Sequence, residues 1–185
     1  MKKKIVLGLA VALSLVCLAG CGGEKKTING DVQTPGQTQE SKKTEAQQAN
    51  RKGYVFKSGS AVIEIDGDMA PVAAALGEPV SYFEAASCAF EGLDKTYTYA
   101  GFVVETYPKN DKDLVSSIVI KDDSVKTPEG VTVGSTRDEM IAAYGENYAE
   151  EAGMLVYAKD GMKLMFLLKN DMVSSIQYTS TVLSE

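Results

Sequence analysis

One pattern occurs twice in this chain, and any fold that satisfies it must be built from two like halves. Ala61-Val-Ile-Glu-Ile-Asp-Gly-Asp68 runs into Met69-Ala-Pro-Val-Ala-Ala-Ala-Leu-Gly-Glu78. Glu129-Gly-Val-Thr-Val-Gly-Ser-Thr136 runs into Arg137-Asp-Glu-Met-Ile-Ala-Ala-Tyr-Gly-Glu146. At a shift of 68, Ile63, Ile65, Ala74, Ala75, Gly77 and Glu78 fall on Val131, Val133, Ala142, Ala143, Gly145 and Glu146. Further on, Tyr99-Ala100 matches Tyr157-Ala158 and Val115-Ser-Ser-Ile118 matches Val173-Ser-Ser-Ile176, now at a shift of 58. Lys109-Asn-Asp111 also matches Lys169-Asn-Asp171, two residues off that shift. The ten-residue difference between 68 and 58 predicts a longer loop in the first copy. Several matches in one order mark an internal duplication, here about residues 61–121 and 129–179.

Each copy has a local reading. Val62 to Ile65 and Val131 to Val133 are short strand-like runs. Thr136 with Glu139 forms a capping box for a helix whose apolar face is Met140, Ile141 and Tyr144, and Gly145 stops it. In the first copy Asp68 caps, Pro71 sits in the tolerant first turn and Gly77 stops. Three alternating runs follow in each copy: Thr96–Tyr99, Phe102–Tyr107 and Leu114–Lys121, then Met154–Tyr157, Met162–Leu168 and Met172–Thr179. Period-two alternation puts Phe102 with Val104, Leu114 with Ile118 and Ile120, and Met172 with Ile176 and Tyr178 on inner faces. The expected fold class is α+β: two tandem copies of a strand, a helix and a three-stranded antiparallel meander, with the helices packed on one side of the sheet. The other face is expected to carry Tyr97, Tyr99, Glu105, Tyr107 and Lys163 and to lie open.

The run Val-Gly-Ser-Thr-x-x-Glu-Met-x-x-x-Tyr-Gly at residues 133–145, repeated in tandem layout, resembles the helix start of β-lactamase-inhibitor-protein-like and SmpA/OmlA-like domains. The helix-ending Leu-Gly-x-Pro of those domains is present as Leu76-Gly77-Glu78-Pro79 and is degraded in the second copy to Tyr144-Gly145-Glu146-Asn147. The resemblance implies a small exported α+β module with a concave sheet used for protein contact. No contact residue transfers, so it implies a fold more than an activity.

The N-terminal stretch has its own logic. Lys2, Lys3 and Lys4 precede an apolar run from Ile5 to Leu18, shorter than the roughly 20 residues a spanning helix needs. It ends in Leu18-Ala19-Gly20-Cys21, which resembles the bacterial lipobox. That resemblance implies a signal peptide over 1–20, a diacylglyceryl group on the Cys21 sulfur and cleavage just before that residue. Each buried methylene contributes about 0.8 kcal/mol, so two or three chains anchor stably where one does not. Residues 21–53 then form a tether. Gly22 to Lys52 has almost no apolar side chain and cannot bury enough surface to fold, and a flexible run of that length spans roughly 30 Å. The globular part is expected over 54–185, on the extracytoplasmic face of a cell membrane.

Charge and residue types narrow the chemistry. With the three signal lysines gone, 16 basic residues face 25 acidic ones. That balance argues against nucleic acid and against lying flat on anionic lipid, so the lipid must supply attachment. The chain has no histidine, which removes Ser–His and Cys–His nucleophile pairs. Cys88 is the one thiol left after Cys17 and Cys21, so no internal disulfide and no thiolate zinc site are expected. Glu64, Asp66 and Asp68 alternate before the first helix; helix capping accounts for them better than calcium binding. Turn chemistry accounts for Asp111, Asp113, Asp122 and Asp123. Cys88 lacks basic neighbours in sequence and is expected buried against Phe83 and Phe90.

The segment 79–92, where the copies differ most, is the best place for specificity; it is either a binding loop or a further helix or strand completing the core. The candidate binding surface is Tyr82, Phe83, Phe90, Tyr97, Tyr99 and Tyr107. Nothing calls for a cofactor or a metal. The favoured reading is a non-enzymatic lipoprotein that binds an unknown protein or cell-envelope component. A small-ligand carrier with a pocket between helix and sheet is the alternative. A carboxylate-based envelope hydrolase ranks below it, because no pair of acids stands out by spacing.

Overall fold

The computed structural model describes residues 53–184; the signal peptide, Cys21 and the tether expected before them lie outside the described residues. A hairpin of β1 (Val55–Ser58) and β2 (Ala61–Glu64) comes first. Helix α1 (Met69–Leu76) follows, then β3 (Ser81–Ala86), β4 (Leu93–Tyr99), β5 (Phe102–Lys109) and β6 (Lys112–Ile120). Helix α2 (Arg137–Tyr144) leads into β7 (Ala149–Glu151), β8 (Met154–Lys159), β9 (Met162–Lys169) and β10 (Met172–Ser180). A single 3-10 turn, Val182–Ser184, closes the described chain.

The expected α+β architecture of two strand–helix–three-stranded meanders with helices packed on one side of the sheet does not form. Among the described residues the protein is mostly β: eight strands make one antiparallel sheet in the order β3-β4-β5-β6-β10-β9-β8-β7, against two helices of eight residues each. Two physical causes account for the difference. Each half adds a fourth, outer strand, β3 or β7, that alternation did not mark because both are mostly exposed. The halves also share backbone bonds, since β6 and β10 pair antiparallel and make the sheet continuous. The strand expected at Val131–Val133 is absent. There the Thr127 N–H and side chain bond Val131, and Thr132 N–H bonds the Ser135 hydroxyl, so a turn takes the backbone groups a strand would have used.

The halves correspond pair by pair. Ile120 faces Ile176 and Ile118 faces Tyr178, with Val119 opposite Gln177 between them. Positions 119 and 177 are equivalent, so a local two-fold axis passes through that pair. In both halves the Val-Ser-Ser-Ile run is a β-bulge: Ser116 lies between the paired Val115 and Ser117, and Ser174 between Val173 and Ser175. An extra residue resets the alternation, so a valine and an isoleucine three apart both face inward. Val115, Ile118, Val173 and Ile176 are all at most 1% exposed. The bulge therefore corrects the inner-face assignment of Met172, which is 43% exposed while Val173 takes its place, and of Leu114, which gives way to Val115.

The helix caps form. Asp68 accepts the Ala70 N–H, Thr136 and Glu139 complete a reciprocal capping box, and Gly77 and Gly145 end the helices at φ of 76° and 84°. Met69, Val72 and Met140 from the helices join Phe56 and Ile63 from the small hairpin and Val104, Ile118, Leu164, Phe166 and Ile176 from the sheet in one core. Each such side chain contributes roughly 1.5–3 kcal/mol on burial, so this cluster outweighs exposed ion pairs such as Lys112–Asp68.

Candidate functional site

Register locates the place where the halves diverge. Ser81–Thr98, Tyr82–Tyr97 and Phe83–Thr96 are equivalent to Ala149–Val156, Glu150–Leu155 and Glu151–Met154. In the second half the hairpin then closes through Ala152-Gly153. In the first half it continues through three more pairs, Glu84–Lys95, Ala85–Asp94 and Ala86–Leu93, to a loop over Ser87–Gly92. Measured from the bulge, the β5–β6 hairpin also reaches further toward its turn than β9–β10, by the pairs Pro108–Asp113 and Lys109–Lys112, although each hairpin has eight pairs in all. Both extended tips lie at the same end of the sheet. Between them opens a groove of about 710 Å³ lined by Phe90, Gly92, Leu93, Lys95, Pro108 and Lys109 among others. A second hollow of about 380 Å³ abuts the same loop and includes Cys88, Asp94, Thr96, Glu105 and Tyr107.

The tip is held by a few specific contacts. Lys95 donates to Asp113 at 2.7 Å, which raises the lysine's pKa chiefly through that bond. The Phe90 ring lies over Tyr107 with centroids 5.0 Å apart. Tyr107, 2% exposed, donates to Asp66 at 2.9 Å; burial first and that bond second push its phenol up to about 12. A Cβ at Gly92 would stand 2.8 Å from the Pro108 ring, so the close approach of the two tips requires glycine there.

The six residues expected to form one binding surface do not share one. Tyr82 and Tyr97 are cross-strand neighbours, with rings 5.1 Å apart, on the same sheet face as the core. Tyr82 donates to Glu84, and the carboxylate beside it raises the phenol's pKa. Phe83 points to the opposite face and is 64% exposed. Tyr99 is buried and stacks on Phe102, and Tyr107 is buried at the tip base. The expectation that Tyr97, Tyr99 and Tyr107 line an open face is thus corrected: register places Tyr97 with Val104 and Tyr99 with Phe102 on the inner side. Glu105 and Lys163 do lie on the outer side. The segment 79–92 contains an edge strand whose six residues are all exposed, and Cys88 is exposed rather than packed against Phe83 and Phe90. Sequence reasoning missed Val80, 78% exposed, and Leu93, 39% exposed, which join Phe83 as the apolar part of this edge.

The acids before α1 are separated by the turn that follows β2. Asp66 stands at φ 61° and takes the Tyr107 hydroxyl, while Asp68 caps the helix and pairs with Lys112 at 3.0 Å. Among the described residues, no three Cys, Asp or Glu side chains stand together in a way that could hold a metal ion. A shallow hollow of about 400 Å³ beside α2 is lined by Glu129, Val131, Glu139 and Ala143, from the helix and the turn before it.

No family model matches the chain, and no curated protein matches it. Two solved structures show a distant likeness. One is an extracellular protein containing an SCP domain from Bacillus anthracis, at 12% identity and TM-score 0.47, covering 70% of this chain and 49% of that one. The other is a cysteine-rich secretory protein from Staphylococcus aureus, at 12% identity and TM-score 0.36, covering 64% of this chain and 45% of that one. The chain thus spans about half the length of each, and a likeness this low carries no inference of fold or activity. Among the described residues no helix is long and apolar enough to cross a membrane.

Proposed function

We propose that this chain is a lipoprotein on the extracytoplasmic face of a cell membrane, held by lipid on Cys21, and that it works by binding rather than by catalysis. The contact element is the extended β3–β4 hairpin of the first half. One observation carries this reading: at equivalent edge positions the second half has Glu150 and Glu151 where the first has Tyr82 and Phe83. A rigid duplicated scaffold that grows an apolar, exposed strand on one side only has the form of a binding element. The partner class is a protein or another cell-envelope component. The lipobox-like Leu18-Ala19-Gly20-Cys21 supports the anchor.

Two measurements test it. Cys21→Ser is expected to move the folded protein from the membrane to the soluble fraction; retention at the membrane would reject the anchor. Capture from envelope extract with the wild-type domain, and its loss on Phe83→Glu, would support the hairpin. Equal capture by both would place the contact elsewhere. The small-ligand alternative has one specific support, the groove beside Phe90, and a Phe90→Ala change that abolishes binding of a small apolar probe would favour it.

A further inference from the structure

The two ends of the eight-stranded sheet manage their free edges differently. β7 is three residues long, and two of them are glutamates, the usual protection against unwanted pairing. β3 is six residues long, has neither proline nor lysine, and carries Tyr82 and Phe83 with Val80 just before it. Its backbone is set for pairing. The Ser87 N–H bonds the Gly92 carbonyl, so by the antiparallel alternation Ser81, Phe83 and Ala85 turn their polar groups toward β4. Tyr82, Glu84 and Ala86 turn theirs outward.

We propose that the β3 edge is a homotypic docking strand: a second copy of this chain adds its own β3 antiparallel, across a two-fold axis through Phe83. The inference rests on the hairpin being the contact element and names its partner. Side chains opposite one another must share a face, which limits a two-fold pairing to registers that set a residue against itself. Two of these overlap most of β3. One sets Glu84 against Glu84 of the other copy and is repulsive. The other sets Phe83 against its mate, Tyr82 against the other copy's Glu84, and Ser81 against Ala85, with no like charges opposed. In that register the outward-facing backbone groups of Tyr82 and Glu84 bond each other. The molecule already contains such a joint, because β6 and β10 meet antiparallel about the equivalent pair Val119 and Gln177. A six-residue strand buries less than the roughly 800 Å² per partner of a stable complex, so the dimer is weak in dilute solution. Lipid anchoring of both copies on one surface raises their effective concentration and favours it there.

The test is a charge exchange at the axis in the full chain, in detergent, followed by sedimentation. Wild type is expected to show a concentration-dependent dimer. Phe83→Lys and Phe83→Glu chains, each alone, should associate at least tenfold more weakly. An equimolar mixture of the two should recover a dimer containing one of each. Far-UV circular dichroism of the variants should match wild type, since the site is exposed. In a Cys88→Ser background, Phe83→Cys should form a disulfide dimer under mild oxidation, beyond that of Cys88→Ser alone. A wild type that stays monomeric at all concentrations, or a mixture that does not recover the dimer, overturns the proposal. If Phe83→Glu then still loses an envelope partner on capture, the hairpin remains the contact element; if it does not, both readings fall.

Discussion

The outer strands β3 and β7 hold equivalent places at opposite ends of one sheet, yet one is long and aromatic and the other short and acidic. The halves keep the same bulge at Ser116 and Ser174, a side-chain cap at each helix start and the same docking of the chain before each helix on Val115 or Val173. Conformity is confined to positions that bury apolar surface or satisfy backbone groups. Outside those positions the copies differ, most at the edge and the tips, and also where Ala61–Glu64 is a strand and 131–133 a turn. The duplicated part is scaffold, and the asymmetry is where the proposed contact element lies.

The strongest way to break that comparison is at the joint. Ile118→Ala and Ile176→Ala remove fully buried, equivalent side chains and should each cost about 2–5 kcal/mol in urea unfolding. The two values should agree closely, and both proteins should unfold in one transition. Widely unequal costs, or a resolved intermediate, would mean that the halves are not energetic equals. A smaller effect is expected at the second cap, where Thr136→Ala should cost about 1 kcal/mol.

The first cap differs in being titratable. Asp68 has its carboxyl held below the usual range, first by the Ala70 N–H and then by Lys112. A depressed folded pKa gives stability that is present above the unfolded value and lost as pH falls through the folded one. An acid scan below about pH 4 should therefore weaken wild type more than Asp68→Thr, which makes the caps alike. At the alkaline end, Tyr107 has the raised phenol and its counterpart, Lys169, has none. Its contribution is complete below about pH 10 and is lost as pH rises toward 12, and Tyr107→Phe should flatten that loss. The smallest stability effect, within about 0.5 kcal/mol, is expected for giving β3 the acidic edge of β7 through Tyr82→Glu and Phe83→Glu. A large destabilisation there would show that the aromatic edge is structural.

The capped helices and the inner positions of the meanders were legible because each depends on local chemistry. Thr136 with Glu139 needs only its own turn, and Phe102 with Val104 needs only strand alternation. Two things were hidden. Strict period-two counting fails at Val115-Ser-Ser-Ile118 and Val173-Ser-Ser-Ile176, since one unpaired serine flips every residue beyond it; the repetition of the motif was visible but its meaning was not. Partner strands were also invisible. Whether Tyr97 and Tyr99 face in or out depends on what stands opposite, Val104 and Phe102, and that is decided by register across the sheet. The same dependence explains the missed outer strands, which have no apolar alternation of their own because little covers them. For the candidate site, the segment 79–92 was found by the mismatch between copies. Its exposure, and that of Cys88, could not be read from composition.

The axis through positions 119 and 177 has a consequence for descent. Two separate identical chains meeting this way would be obliged to set one residue against itself. Joined in a single polypeptide, the positions are released from that obligation, and here a valine stands opposite a glutamine.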